Sequence, residues 1–137
     1  MGVAQARRLV DAGRLGALAS VRVQCPLSTL VPQVVELAQY LAGAPIVGVT
    51  AIEEPTGTLC LARFASGAAG SLEAAPRYPF WAELSGTDAA LAFDVDDLRL
   101  SIVDHLQVRR VLDAVALSIA NQSTWTPVEA IQRLVAS

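Results

Sequence analysis

The sequence predicts an α+β fold in which an antiparallel or mixed sheet of about six strands carries helices on one face. Several short strand-like segments follow one another between tight turn signals, which is typical of an antiparallel meander. Other segments have apolar residues at helical spacing. Hydrophobic residues make up 53% of the 137 residues and charged residues 17%, which indicates a substantial core. The length fits one domain over residues 1–137.

The first part of the chain predicts a helix, a strand and a second helix. Residues 4–13 place Ala6, Leu9 and Val10 on one helical face, and glycines end that segment. Residues 18–25 alternate between apolar and polar side chains, as a strand with one buried face does. A longer helix is predicted over residues 29–42.

The remainder predicts more strands and then two helices. The strand candidates are residues 46–53, 57–64, 69–75, 80–86, 89–93 and 98–103, mostly separated by turn-forming residues. Apolar residues at helical spacing predict a helix over residues 105–121, with Asp104 as its N-cap. A capping box at Thr126, followed by Pro127, predicts a last helix over residues 126–135.

Charge and composition exclude some classes of function. The net charge is −3, and the ten basic residues are all arginines spread along the chain, so no nucleic-acid surface is expected. No apolar run approaches the roughly 18 residues that span a bilayer, so no membrane partner is expected. Cys25 and Cys60 lie in apolar strands and are predicted to be buried free thiols, which favours a cytoplasmic location.

Residues 30–43 (LVPQVVELAQYLAG) resemble the helix that carries the catalytic Asp-x-Gly-x-His signature of the Gfo/Idh/MocA family of nicotinamide-dependent sugar oxidoreductases. Three further phrases resemble the same family, in the order that the family has them. They are residues 9–18 (LVDAGRLGAL), 61–72 (LARFASGAAGSL) and 82–91 (AELSGTDAAL). The resemblance implies the fold of the C-terminal substrate and oligomerisation domain of that family, standing alone.

The resemblance also shows where this chain departs from the family. Thr29 stands where the family has Asp, Val31 where it has Gly, and Gln33 where it has His; Glu36 replaces an Asp. No G-x-G-x-x-G follows a strand and opens a helix in this sequence, so we expect no nicotinamide cofactor. Residues 67–70 (GAAG) belong to a hairpin turn.

Gln33 and Glu36 are the catalytic candidates, and Thr29 and Gln33 are candidate substrate ligands on the same helix. A neutral amide cannot exchange a proton with an alcohol, but it can hydrogen-bond a hydroxyl or carbonyl. Glu36 becomes a general acid if burial raises its pKa. The structural alternatives are an N-cap or near-cap residue for Thr29, a residual polar residue for Gln33, and a solvated or arginine-paired carboxylate for Glu36.

Tyr78 and Trp81 are further candidates for substrate binding, because residues 77–81 concentrate aromatics between two strands. They form either the rim of a ligand cleft or a contact with a partner subunit. The one histidine, His105, is expected in an exposed first helical turn, and one histidine without a Cys/His cluster predicts no metal site.

Three functions stay open at this point. The first is a non-redox ligand-binding or accessory protein, in sugar or secondary-metabolite biosynthesis. The second is a cofactor-independent isomerase, lyase or cyclase that reuses the cleft. The third is half of a split or excised NAD(P)-dependent oxidoreductase, with the nucleotide-binding domain supplied as a separate subunit. The strands of residues 57–64 and 89–93 are apolar on both sides, which predicts a homodimer through the open sheet face.

Overall fold

The computed structural model describes residues 1–96 and 103–129. These residues form three helices and seven strands. In chain order the elements are α1 (Val3–Asp11), β1 (Leu18–Cys25), α2 (Pro32–Ala42), β2 (Ile46–Glu54), β3 (Gly57–Phe64), β4 (Ala69–Ala74), β5 (Trp81–Gly86), β6 (Ala90–Asp94), α3 (His105–Ala120) and β7 (Thr126–Pro127).

The strands form a single mixed sheet in the order β6-β5-β1-β4-β3-β2-β7. Every neighbouring pair is antiparallel except β1 and β4, which run parallel. A parallel pair needs a long connection, and here α2, β2 and β3 lie between the two strands in the chain. The α+β class and the mixed sheet are therefore confirmed. The described residues form seven strands, where about six were predicted.

Alternation along each strand gives the sheet two different faces. The covered face carries the buried side chains, such as Val21 and Val23 of β1, Leu72 of β4 and Leu84 of β5. Helices α2 and α3 supply the buried residues that meet it. The open face consists of the intervening residues, and on its central strands these are Ser20, Arg22, Gln24, Ser71, Glu73, Glu83 and Leu61.

Helix α2 begins at Pro32, three residues later than the predicted start at Thr29. Val31 is the N-cap, with φ −107° and ψ 159°, and its side chain makes no capping hydrogen bond. A residue before proline is pushed into extended backbone, whereas proline fits the first helical position, so the prolyl ring sets this boundary.

Helix α2 ends at a glycine that a second helix covers. Gly43 has φ +67°, the left-handed conformation common after helices. The Arg7 guanidinium of α1 packs against Gly43, where a Cβ would lie 2.4 Å from Nη1. Arg7 Nη1 donates to the Leu41 carbonyl at 3.2 Å, which satisfies a carbonyl that the helix end leaves free. This contact ties α1 to the end of α2.

Two of the phrases that carry the family resemblance contact each other. Gly16 has φ +76°, and a Cβ there would lie 2.3 Å from Thr87 Oγ1. The Ala17 amide donates to Thr87 Oγ1 at 3.1 Å, and the Thr87 amide donates to the Ala17 carbonyl at 2.9 Å. The glycine turn before β1 therefore fits against the β5–β6 hairpin, and any side chain at Gly16 would separate them.

The predicted last helix is wrong at its start. Thr126 and Pro127 form β7, which pairs with β2, and helical residues begin at Val128. The pairing brings the Trp125 indole over Gly48, where a Cβ would lie 2.1 Å from Cζ2. The rest of this predicted helix and the predicted strand at residues 98–103 lie outside the described residues, apart from Val103, which is in a bend.

Candidate functional site

The amino end of α2 holds one of the predicted site residues and excludes another. Gln33 is the second residue of α2 and is half-buried. Its side-chain amide makes no hydrogen bond to any described residue, so both its donor and its acceptor are free for a ligand. Thr29 lies in a bend ahead of the helix and is exposed. The expectation that Thr29 lies on the same helix as Gln33 is therefore wrong. Thr29 is not the N-cap either, but it lies two residues before the N-cap Val31, which fits the near-cap alternative.

Glu36 lies on the turn of α2 that follows Gln33, and it is only 9% exposed. Its Oε2 atom is buried and has no hydrogen-bond partner among the described residues. Loss of solvation raises the pKa of this carboxyl, and nearby Asp104 raises it further. The Val103 amide and His105 act in the opposite direction. The solvated or arginine-paired alternative for Glu36 does not fit these contacts.

A neutral carboxyl has chemistry that an ionised one lacks. When protonated, Glu36 presents one O–H donor, so it can give a proton or hold a ligand oxygen. Gln33 and Glu36 are three residues apart, so they lie on the same side of α2. The two side chains together offer hydrogen bonds and one exchangeable proton.

Helix α3 borders the same region. Asp104 is its N-cap, with Oδ1 accepting from the Gln107 amide at 3.0 Å, as predicted. His105 is exposed in the first turn, also as predicted. A shallow cavity of about 450 Å³ lies between Pro32 of α2 and one side of α3, which contributes His105 and Arg109. Pro32 is the one residue of α2 that lines this groove, and Gln33 and Glu36 do not line it.

Trp81 lies on the open face, on the opposite side of the sheet from the helices. It pairs with Gln24, and its ring centroid is 5.6 Å from the Arg22 guanidinium carbon. Arg22 also binds Glu73, with Nε–Oε2 at 2.6 Å and Nη2–Oε1 at 3.3 Å. This hydrogen bonding raises the pKa of Arg22, and burial acts in the opposite direction. The ionised form of Arg22 is therefore favoured.

Tyr78 lies in the loop between β4 and β5, where it lines a second cavity of about 520 Å³ together with Glu73. The predicted site residues thus form two groups. Gln33 and Glu36 belong to the helical layer, whereas Tyr78 and Trp81 belong to the open face and its edge. Sequence reasoning missed Glu54, Thr58 and Glu73 of this cavity, since strand residues far apart in the chain carry no local signal of a shared site.

Neither cysteine shows the features of a reactive site. Cys25 and Cys60 are buried free thiols, as predicted. Burial raises the pKa of both, that of Cys60 to about 12, so neither is activated as a nucleophile. Among residues 1–96 and 103–129, no three His, Cys, Asp or Glu side chains are grouped to hold a metal ion. No helix in these same ranges is long and apolar enough to cross a membrane.

Comparison with solved structures identifies the fold. Scyllo-inositol dehydrogenase from Lactobacillus casei, solved with NAD(H) and scyllo-inositol, matches with TM-score 0.70 and 13% identity over 93% of this chain and 61% of its own. An oxidoreductase domain protein from Kribbella flavida matches with TM-score 0.68 and 19% identity, over 92% and 63%. Levoglucosan dehydrogenase in complex with NADH and L-sorbose gives 0.66 and 17%, over 90% and 61%.

These likenesses establish the fold alone, because the identities are low. The chain spans about 60% of the length of the dehydrogenases that it matches. That coverage is consistent with the C-terminal domain of Gfo/Idh/MocA-type dehydrogenases, which is the fold that the sequence resemblance implies. No family model and no curated protein matches the sequence.

Proposed function

We propose that this chain is a non-redox ligand-binding domain, which has the fold of a dehydrogenase substrate domain and holds a sugar-like or polyol-like molecule at the amino end of α2. The observation that carries the proposal is Gln33, a half-buried amide with free hydrogen-bonding groups at the start of this helix. By the family resemblance, this position belongs to the histidine that transfers the proton. Two dehydrogenases of this fold were solved with scyllo-inositol and with L-sorbose, which supports the ligand class.

The chemistry of the amide separates binding from oxidation. Oxidation of an alcohol requires a base that takes the hydroxyl proton, and an amide does not act as a base near neutral pH. The same amide can accept from one ligand hydroxyl and donate to another oxygen. Gln33 therefore suits recognition of a hydroxyl-bearing ligand without its oxidation.

Titration of the ¹⁵N-labelled protein with scyllo-inositol and with L-sorbose tests this proposal. We expect saturable NMR shifts at the Gln33 side-chain amide and at the first turn of α2 with at least one of the two. Gln33→Ala should abolish them, whereas Gln5→Ala, which removes an exposed glutamine from α1, should not. Absence of saturable shifts with both compounds, or unchanged binding in Gln33→Ala, would contradict the proposal.

A cofactor-independent enzyme is the second candidate, and the buried Glu36 carboxyl specifically favours it. A carboxyl whose pKa is raised by burial is a suitable general acid for an isomerase or lyase. Incubation of each ligand that binds, followed by NMR of the ligand, separates the two candidates. Conversion that Glu36→Gln abolishes would favour the enzyme, and an unchanged ligand favours the binding domain.

We also propose that the open face mediates a homodimer. Ile52 of β2 and Leu61 of β3 are 41% and 48% exposed on this face, and Trp125, which lies over Gly48 of β2, is 48% exposed. Large apolar side chains grouped on one surface favour an interface. A second copy would cover them with one repeated, self-complementary surface, which we expect to bury more than about 1,000 Å².

A further inference from the structure

The cavity of about 520 Å³ lies where residues 74–78 turn over the β2–β3 hairpin. It takes no part in the function proposed above, because Gln33 does not line it. Its polar residues come from separate parts of the chain and converge on one space; they are Glu54, Thr56, Thr58, Glu73, Arg77 and Tyr78. Concave sites with a few convergent polar groups are the usual form of small-molecule sites.

The shape of this cavity is built into the backbone. A Cβ on Gly57 would lie 1.9 Å from the Ala74 carbonyl oxygen, so only glycine lets the end of β4 pass this close. The Ala75 amide donates to the Cys25 carbonyl at 3.2 Å, and the Tyr78 amide donates to the Ala75 carbonyl at 3.1 Å. These bonds hold the rim in place without a ligand.

The charges at the cavity divide into a satisfied pair and two unpaired groups. Glu73 is held by Arg22 through two hydrogen bonds, so this pair is neutral as a unit. The side chains of Glu54 and Arg77 make no ion pair or hydrogen bond with any described residue, and both residues are exposed. One free carboxylate and one free guanidinium therefore border the same space.

We propose that this cavity binds a zwitterionic molecule of the aliphatic amino-acid class. Arg77 offers the planar fork that binds a carboxylate with two hydrogen bonds. Glu54 accepts from an ammonium group, and the hydroxyls of Thr56 and Thr58 add further hydrogen bonds. Leu59 and Pro76 line the apolar part of the cavity, which suits an aliphatic side chain.

Three related probes test which ligand charges the cavity requires. L-Leucine carries both charges, L-leucinamide lacks the carboxylate, and N-acetyl-L-leucine lacks the ammonium group. We expect L-leucine to give saturable NMR shifts at the amides of Thr56, Thr58 and Tyr78. Each derivative should bind about tenfold more weakly, because one charged hydrogen-bonding group is lost. No saturable shift with L-leucine, or equal binding of all three compounds, would overturn the proposal.

Matched variants assign the two charges to their residues. Arg77→Gln and Glu54→Gln should each weaken L-leucine binding about tenfold. The controls are Glu53→Gln, the neighbouring exposed carboxylate that does not line the cavity, and Arg8→Gln, an exposed arginine of α1. Neither control should change the affinity. Wild-type affinity in both Arg77→Gln and Glu54→Gln, or equal losses in the controls, would place the ligand elsewhere and overturn the assignment.

Discussion

The side chains on the two faces of the sheet differ in how far the chain itself buries them. On the covered face, side chains such as Val23, Cys60 and Leu72 are completely buried beneath α2 and α3. On the open face, Arg22, Leu61 and Ile52 keep much of their surface in water. Alternation in a strand sequence thus identifies the face that the chain itself covers. It does not show whether solvent or a partner contacts the open face.

The open face is itself divided. Near its centre, on β1 and β4, the Arg22–Glu73 pair and the adjacent Trp81 satisfy one another within the chain. Towards β2 and β3, Leu61 and Ile52 have apolar surface that no described residue covers. The polar part is stable as it stands, whereas the apolar part is where we expect a second copy to bind.

Consecutive residues of β3 give the largest expected contrast between the faces. Cys60→Asp places an unpaired charge in the core and should cost about 3–5 kcal/mol of the free energy of unfolding, or prevent folding. Leu61→Asp should leave the fold intact and convert a dimer to a monomer. Circular dichroism with urea unfolding, and light scattering at high micromolar concentration, measure the two effects.

Either of two results would break this contrast. A stable, folded Cys60→Asp would show that the covered face tolerates charge. A wild-type chain that is monomeric at high micromolar concentration would remove the proposed partner of the open face.

Ser118 tests how strongly α3 is attached to the covered face. Its Oγ accepts from the Ala51 amide at 2.9 Å and donates to the Thr124 carbonyl at 2.7 Å. Ser118→Ala should lower the free energy of unfolding by about 1–3 kcal/mol, because a buried amide loses its partner. Ser71→Ala, on the open face, should change it by less than about 0.5 kcal/mol. Equal losses of the free energy of unfolding in urea titrations would mean that the buried Ser118 hydroxyl stabilises the fold no more than the Ser71 hydroxyl does.

Glu36 predicts a pH dependence that belongs to the helical layer. Because burial raises its pKa above the ordinary 4.5, the folded chain binds this proton more tightly than the unfolded chain. The stabilisation is complete below about pH 4.5 and is lost as the pH rises through the raised pKa. Relative to Glu36→Gln, the wild type should therefore lose stability as the pH rises above about 4.5.

Urea unfolding across this pH range measures the effect, with Glu53→Gln as the control for an exposed carboxylate of β2. A difference in the free energy of unfolding between the wild type and Glu36→Gln that stays constant with pH would contradict a raised pKa of Glu36 in the folded chain. A difference that grows with pH in favour of the wild type would contradict it too.

The Arg22–Glu73 pair should give the smallest effect in an isolated chain. The Arg22 side chain is 44% exposed and that of Glu73 14%, so solvent screens their attraction. A double-mutant cycle with Arg22→Gln and Glu73→Gln should give a coupling of about 0.2–1 kcal/mol in the Leu61→Asp background. Coupling should be larger in the wild type if a second copy removes water from this face. Identical coupling in both would place the pair outside any interface.

Strands with clear alternation could be predicted residue by residue. The bounds of β1 and β3 agree with the predicted residues 18–25 and 57–64, because apolar and polar side chains alternate in β1 and turn residues flank the apolar run of β3. The start of α2 was misplaced because Pro32, rather than a capping threonine, sets it. The parallel pairing of β1 with β4 has no local signal, because it depends on strands far apart in the chain.

The candidate site was predictable only in part. The family resemblance indicated Gln33 and Glu36. The pKa of Glu36, however, also depends on Val103, Asp104 and His105, which lie far along the chain from α2. Similarly, nothing in residues 77–81 alone shows that Trp81 would stack on Arg22. Spacing along a helix finds neighbours on that helix, whereas the electrostatic surroundings of a side chain come from the whole fold.

The parallel junction between β1 and β4 has a consequence for the order of folding. Strands β2, β3 and β4 are joined by short turns, so their pairing closes only small loops. The junction must bring together residues as distant as Arg22 and Glu73, which are 51 positions apart. Loop-closure entropy opposes such a pairing until other contacts reward it. We therefore expect the β2–β4 meander to assemble early and β1 to join afterwards, so the strand that links the meander to the β5–β6 hairpin enters the sheet late.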